Sequence, residues 1–226
     1  MKKIILYILI ASFLFLCSCG GGFYDAVCSM LGIDNSDYAA EAAVSEIAPD
    51  DETAVKLAEL SLIVCCSDRV VTFESFSDVS SEYVDVVLNY LSGTFYSKYS
   101  ADVQMMDKFS ENYPELSVNA LIPVSDYENT VYAYFGGNRK AVVKSTAMYS
   151  YLDRIDAFIL VGQAQDIRAT YTVHEAVETE NTYRLTVSYF KNSDNMGTYD
   201  IIFRKREDGE PYIWRLTASS KLYGGL

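Results

Sequence analysis

The spacing of apolar residues along the chain changes once, at about Gly137. Before that point apolar side chains recur three and four positions apart, which places them on one face of an amphipathic helix. After it they alternate with polar ones, which is typical of a strand buried on one face. This order predicts an α+β fold for residues 37–226, taken as a single domain. Helices in residues 37–135 are expected to cover an antiparallel sheet in residues 139–217.

Five helices are expected in the first part of this domain. The first covers residues 37–48 and ends before Pro49, because the residue preceding a proline resists helical backbone angles. The other four are expected to begin at polar residues, namely Asp50, Ser80, Ser100 and Ser125. Glu128 completes a capping box with Ser125, and Gly93 and Gly136 are expected to end the third and fifth helices. The most regular apolar stripe lies in the third helix and consists of Val84, Val87, Leu88 and Leu91.

Five strands with turn-rich connections are expected after Gly137. They cover residues 155–161, 167–173, 183–189, 199–203 and 212–216. Short connections favour sequential antiparallel pairing, and therefore a meander. In this register Trp214 shares a face with Tyr212 and Leu216 and is predicted to be a core residue. His174 is predicted to be an exposed residue on the polar face, beside Glu175.

The first residues of the chain are typical of a secretory signal peptide. Lys2 and Lys3 precede an apolar run over residues 4–16 that only Ser12 interrupts. A transmembrane helix would need about 20 apolar residues, whereas this run ends at a Gly-rich segment, residues 20–22. The run is therefore interpreted as a signal peptide and not as a membrane span.

The end of this segment resembles the lipobox of bacterial lipoproteins. In Leu16-Cys17-Ser18-Cys19, Leu16 matches the conserved leucine of the motif, Ser18 the small residue, and Cys19 the lipidated cysteine. Cys17 is the competing candidate, but bulky Leu16 would then stand beside the cleavage point. The resemblance implies a signal peptide over residues 1–18, a diacylglyceryl group on Cys19, and a lipidated tether over residues 19–36. Such a protein would be anchored to the extracytoplasmic face of a membrane, because two acyl chains hold stably where one does not.

Charge is distributed unevenly between the two parts of the chain. Residues 19–128 contain 20 acids and 4 bases, whereas residues 129–226 contain 11 acids and 12 bases. An acidic surface does not suit nucleic acid, whose phosphates need basic patches, so no nucleic-acid partner is expected.

The acidic helical part is also rich in tyrosine, which gives contact area at low entropic cost. Acids interleaved with tyrosines favour a basic protein or an envelope component as partner. The acids considered are Asp102, Asp107 and Glu111, and the tyrosines are Tyr83, Tyr90, Tyr96, Tyr99 and Tyr113. The alternative is that the tyrosines pack on the sheet while the acids only solvate the helices.

Few residues suggest catalytic or metal chemistry. Cys28 can bridge to Cys65 or Cys66, or these cysteines are buried free thiols. His174 is the single histidine and there is no CxxC, so no metal site, cofactor or catalytic residue is predicted.

The order of helices and strands resembles the NTF2-like (cystatin-like) cone of uncharacterised exported lipoproteins of Gram-positive bacteria. The segment from Ile122-Pro123 to Gly137 also resembles a helix that recurs in that group. Two functions follow as hypotheses. The favoured one is a non-enzymatic module that binds a protein or envelope component, and the alternative is a small-molecule-binding or isomerase/hydrolase-like NTF2-type cone.

Overall fold

The structure, a computed structural model, describes residues 45–136, 141–160 and 169–221. Its helices and antiparallel sheets confirm the α+β class. The helices within these residues are α1 (Glu52–Ser61), α2 (Phe76–Val79), α3 (Tyr83–Ser100), α4 (Val103–Asn112) and α5 (Val124–Phe135). A 3₁₀ turn, Leu62–Cys65, follows α1.

Helix α3 carries the apolar stripe that its sequence predicts. Val84, Val87, Leu88 and Leu91 are all buried. The helix does not end at Gly93 but continues to Ser100, with a kink where Phe95 leaves helical backbone angles. A glycine inside a helix costs only about 1 kcal/mol relative to alanine, and burial of Tyr99 in the continuation offsets that cost.

Most helix starts differ from the predicted ones. Asp51, not Asp50, caps α1, and Asp102, not Ser100, caps α4. Ser80 follows the short α2 instead of opening α3. Helix α5 begins at Val124 behind extended Pro123, so Ser125 lies within its first turn and forms no cap. A capping side chain must sit on the extended residue that precedes the helix, and several neighbouring polar residues can fill that position.

Helix α5 ends where predicted. Gly136 has φ +67°, a conformation that favours glycine, and its N–H donates to the Tyr132 carbonyl at 3.0 Å. A Cβ at this position would lie 2.4 Å from the Tyr212 ring, so both backbone and space require glycine.

The larger sheet has the strand order β1-β5-β6-β7-β8 and is antiparallel throughout. Its strands are β1 (Ser45–Ile47), β5 (Ala169–Glu178), β6 (Thr182–Lys191), β7 (Asp194–Lys205) and β8 (Pro211–Ala218). The predicted helix over residues 37–48 is wrong at residues 45–47, which pair with the edge of β5, and residues 37–44 lie outside the described residues. Sheet pairing overrides a weak helical preference in so short a segment.

A second sheet, with the order β2-β4-β3, was not predicted. Its strands are β2 (Leu121–Pro123), β3 (Tyr149–Leu152) and β4 (Ala157–Leu160). Only β4 falls within a predicted strand, because three or four residues are too few to display a period. Residues predicted to form one sheet therefore form two.

A β-bulge places Trp214 outside the core. Ile202 pairs with Arg215 while Phe203 pairs with Ile213, so Trp214 is the extra residue on β8. Ile213 and Leu216 are buried and Trp214 is half-buried. The prediction of a core Trp214 is wrong, because one inserted residue reverses the alternation of faces that the sequence pattern assumes.

The helix-facing side of the larger sheet is filled with apolar side chains that pack against α1 and α5, and α3 packs in turn on α5, the 3₁₀ turn and β2. The sheet contributes Leu185, Val187, Tyr189, Ile201, Phe203, Ile213 and Leu216. Where this sheet meets the ends of α3 and α5, Phe135 stacks on Phe76 at 4.3 Å and meets Tyr83 and Phe73 edge-on. We call the whole cluster of buried residues on this side of the larger sheet, including these aromatic rings, the central core.

Candidate functional site

Cys19, the predicted site of lipid attachment, lies outside the described residues, as do the signal peptide and the tether. Among the residues that the structure does describe, no helix combines the length and the apolar character needed to cross a membrane.

The five tyrosines of the acidic helical part do not share one surface. Tyr83 and Tyr99 are buried, and their hydroxyls donate to the Val71 carbonyl at 2.7 Å and to the Asp126 carboxylate at 3.1 Å. The prediction that these two tyrosines are presented to a partner is therefore wrong. Burial raises their pKa values, so both phenols stay protonated and act as donors.

The other three tyrosines are at least partly accessible. Tyr90 is half-buried, and its hydroxyl lies 2.6 Å from that of Tyr134. Tyr113 is half-buried at the end of α4, where its ring stacks on Phe109 and receives the Arg154 guanidinium on one face. Tyr96 is exposed. Part of this aromatic set therefore belongs to the surface and part to the core.

The three acids considered for partner binding also differ in role. Asp102 accepts the Met105 N–H at 3.0 Å and so holds the first turn of α4. Asp107 and Glu111 are exposed on the same helix. They are four residues apart and lie along one side of α4, as does exposed Val103, four residues before Asp107.

Helix α4 covers only one face of the small sheet. Alternation along the short strands turns Ile122 and Phe158 toward the central core and turns Leu121 and Ala157 toward α4. We call α4 and the buried side chains clustered with it the outer layer, whose buried members are Phe109, Leu121, Leu152 and Ala157. Half-buried apolar residues surround this cluster, among them Met105, Met106 and Tyr113. Large apolar side chains therefore reach solvent at this end of the molecule.

His174 lies in a β-bulge on the face of the sheet that points away from the helices. Val173 pairs with Val187 and Glu175 with Thr186, so His174 is the extra residue on β5. It is half-buried instead of exposed, with its Nε2 2.7 Å from the Ser188 hydroxyl. Ala176 is buried although it is out of phase with Val173 in a strict alternation, as one extra residue on β5 requires.

Two cross-strand polar pairs between β6 and β7 lie near His174. Ser188 also lies 2.7 Å from the Thr198 hydroxyl, and two residues earlier on β6 Thr186 donates to Asp200 at 2.8 Å. A histidine at hydrogen-bond distance from a serine can act as the general base that activates the serine as a nucleophile. Ser188, however, is only 5% exposed and sits mid-strand, where neighbouring amides serve the sheet ladder and not an oxyanion. The arrangement fits cross-strand structural pairing.

Two buried polar networks lie inside the central core, and sequence reasoning did not anticipate either. The Asn89 side chain donates to the Cys66 carbonyl at 3.0 Å and accepts from Tyr149 at 2.9 Å, while Ser92 lies 2.9 Å from the same phenol. The Tyr189 hydroxyl donates to Ser61 at 2.5 Å. These pairings satisfy polar atoms that helix packing removes from water, so they fix the orientation of α1 and α3.

Cys65 and Cys66 are buried free thiols. Burial raises the pKa of each to about 12, so both remain protonated at neutral pH and are poor nucleophiles and metal ligands. Cys28 lies outside the described residues. Within the part of the chain that the structure describes, no group of three or more histidine, cysteine or acidic side chains is placed to hold a metal ion.

Comparisons with protein-family models, with curated proteins and with solved structures gave no match to this chain.

Proposed function

We propose that this protein is an exported lipoprotein, anchored by lipid on Cys19 to the extracytoplasmic face of a membrane, whose folded body binds a protein or an envelope component. The observation that carries the proposal is the N-terminal sequence itself. A dibasic start, an apolar run over residues 4–16 and the segment Leu16-Cys17-Ser18-Cys19 occur in the order that lipoprotein export requires.

Binding, and not turnover, is proposed as the activity of the body. The helix-facing side of the larger sheet is occupied by side chains of the central core, so this face serves stability. The His174–Ser188 pair lies on the opposite face in a setting that suits structure. An NTF2-like cone is part of the proposal, supported by the meander of β5 to β8 with helices on one side.

Metabolic labelling with a tagged palmitate tests the anchor. We expect labelled wild-type protein in the membrane fraction and loss of label in Cys19→Ser. Cys17→Ser is the matched control and should keep its label, because Ser18 still precedes Cys19. Label that survives Cys19→Ser would overturn the assignment.

Capture of partners from envelope extract tests the binding activity, with the full chain in detergent as bait. We expect capture to weaken as the salt concentration rises, because the electrostatic screening length falls below its value of about 10 Å at 0.1 M. Asp107→Asn with Glu111→Gln should capture less, and Asp102 is left unchanged because it caps α4. The same material bound at every salt concentration by both proteins would contradict an electrostatic contact.

A further inference from the structure

We infer that the solvent-exposed side of α4 is the binding surface, and that it takes a cationic amphipathic peptide segment. We define the α4 surface by five exposed or half-buried residues of this segment, namely Val103, Met106, Asp107, Glu111 and Leu116. This inference rests on the proposed binding function and identifies the surface and the chemistry of the partner.

Exposed apolar side chains mark both ends of this surface. Val103, in the first turn of α4, is 69% exposed, and Leu116, just beyond the helix, is 46% exposed. The Leu116 N–H donates to the Tyr113 carbonyl, which closes a turn directly after α4. The helix between them is 10 residues long, or about 15 Å at 1.5 Å per residue. Half-buried Met106 lies between the two ends and adds a thioether that adapts to varied partners.

Charge on the same segment selects the partner. Residues 101–120 contain four acids and one base. Asp107 and Glu111 continue the line that Val103 begins along α4, so carboxylates stand beside exposed apolar groups. Both are exposed, and neither has an ion pair among the interactions found in the described residues. A segment with one apolar face flanked by lysine or arginine complements this surface in both respects.

The thin outer layer suits such contact. Only Phe109 of α4 is buried, while Met105 and Met106 keep part of their surface in water. A docked apolar face would remove further apolar area of this helix from solvent, at about 25 cal/mol per Å². Single exposed apolar residues are ordinary on a protein surface, whereas grouped ones mark interaction sites. Val103, Met106 and Leu116 are grouped on one short segment, beside two carboxylates.

The test uses a synthetic peptide of about 18 residues, long enough for a helix to be more than marginal in water, with leucine and lysine placed at helical spacing. Binding to the full chain is measured by fluorescence anisotropy at low and high salt. A scrambled peptide of identical composition and a leucine/glutamate peptide serve as controls. We expect tight, salt-sensitive binding of the leucine/lysine peptide and weak binding of both controls.

Variants of the α4 surface separate its two components. Asp107→Lys with Glu111→Lys should weaken binding about tenfold and remove most of its salt dependence. Val103→Ser with Leu116→Ser should also weaken binding about tenfold but leave the salt dependence intact. The matched control is Glu59→Lys with Glu180→Lys, which makes the same charge change at exposed acids on α1 and in the β5–β6 turn. It should bind within about twofold of wild type, and circular dichroism should show that all variants fold.

The outcomes distinguish this inference from the proposed function. Peptide binding that the α4 variants and the control variant reduce equally would overturn the α4 surface as the site. Capture of an envelope polysaccharide, undiminished in the α4 variants, would overturn the peptide partner while the binding function stands. Failure of the envelope extract to yield any specific partner would count against the binding function itself.

Discussion

The central core and the outer layer are built from the same kinds of residue but differ in depth. In the central core, helices α1 and α5 pack on a five-stranded sheet and α3 packs on α5, so that rings such as Phe135 and Tyr83 are buried. In the outer layer, α4 lies on one face of a three-stranded sheet, and half-buried methionines border a small buried cluster. The comparison teaches that apolar burial is uneven in this fold, because the outer layer leaves apolar groups accessible to solvent whereas the central core encloses them.

The largest expected effect is on the free energy of unfolding, and it is tested with a matched pair of variants, one in each region. Phe135→Ala should lower the free energy of unfolding by about 3–5 kcal/mol, because three other aromatic rings surround the cavity it leaves. Phe109→Ala should cost about 2 kcal/mol, because half-buried neighbours can relax into the space. Urea unfolding gives the two values. Hydrogen exchange should show that Phe109→Ala speeds exchange in α4 while β6 and β7 remain protected.

Equal losses in the two variants would break the comparison. So would accelerated exchange spread over the larger sheet in Phe109→Ala, because the outer layer would then unfold only together with the central core.

High pH should weaken the central core through its two thiols. The pKa of Cys65 and of Cys66 is raised from 9.0 to about 12, chiefly by burial, so the folded protein keeps both protonated after the unfolded chain has begun to ionise. The stabilising effect is complete below about pH 9 and is lost as pH rises toward 12. At pH 10 each thiol should account for a loss of about 1 kcal/mol.

Urea midpoints at pH 8 and pH 10 measure this loss. The double variant Cys65→Ala with Cys66→Ala is less stable at both pH values because it leaves cavities, but its midpoint should fall less between them. Buried tyrosines titrate in both proteins, so the difference between the two falls isolates the thiols. A fall as large in the variant as in wild type would show that the thiols do not contribute.

Sequence periodicity predicted the elements of the central core better than those of the outer layer. The stripe of α3 and the strands β5 to β8 were predicted because each displays several repeats of its period. Strands β1, β2 and β3 were missed, since pairing with distant residues and not local pattern holds three or four residues extended.

The candidate surface could be predicted only in part. The acids of α4 are visible in the sequence, but whether a tyrosine is buried depends on tertiary partners. Tyr99 is buried, and Asp126, 27 residues away, accepts its hydroxyl and so satisfies a polar group that packing removes from water. Exposed Leu116 carries no periodic signal, because it follows the end of α4.

The smallest expected effect concerns Trp214, which belongs to the larger sheet but not to the central core. The bulge turns this residue to the face away from the helices, where the Arg215 guanidinium lies 5.8 Å from its ring. Trp214→Ala should therefore cost about 1 kcal/mol, against the 3–5 kcal/mol expected for a core tryptophan. Ile213→Ala is the matched control, because Ile213 is the neighbour of Trp214 on β8 and its side chain is fully buried. This variant should lower the free energy of unfolding by at least about 2 kcal/mol. Urea unfolding of both variants decides the register. A larger loss from Trp214→Ala than from Ile213→Ala would place Trp214 in the core and remove the bulge, because a shift of one residue exchanges the two faces of β8.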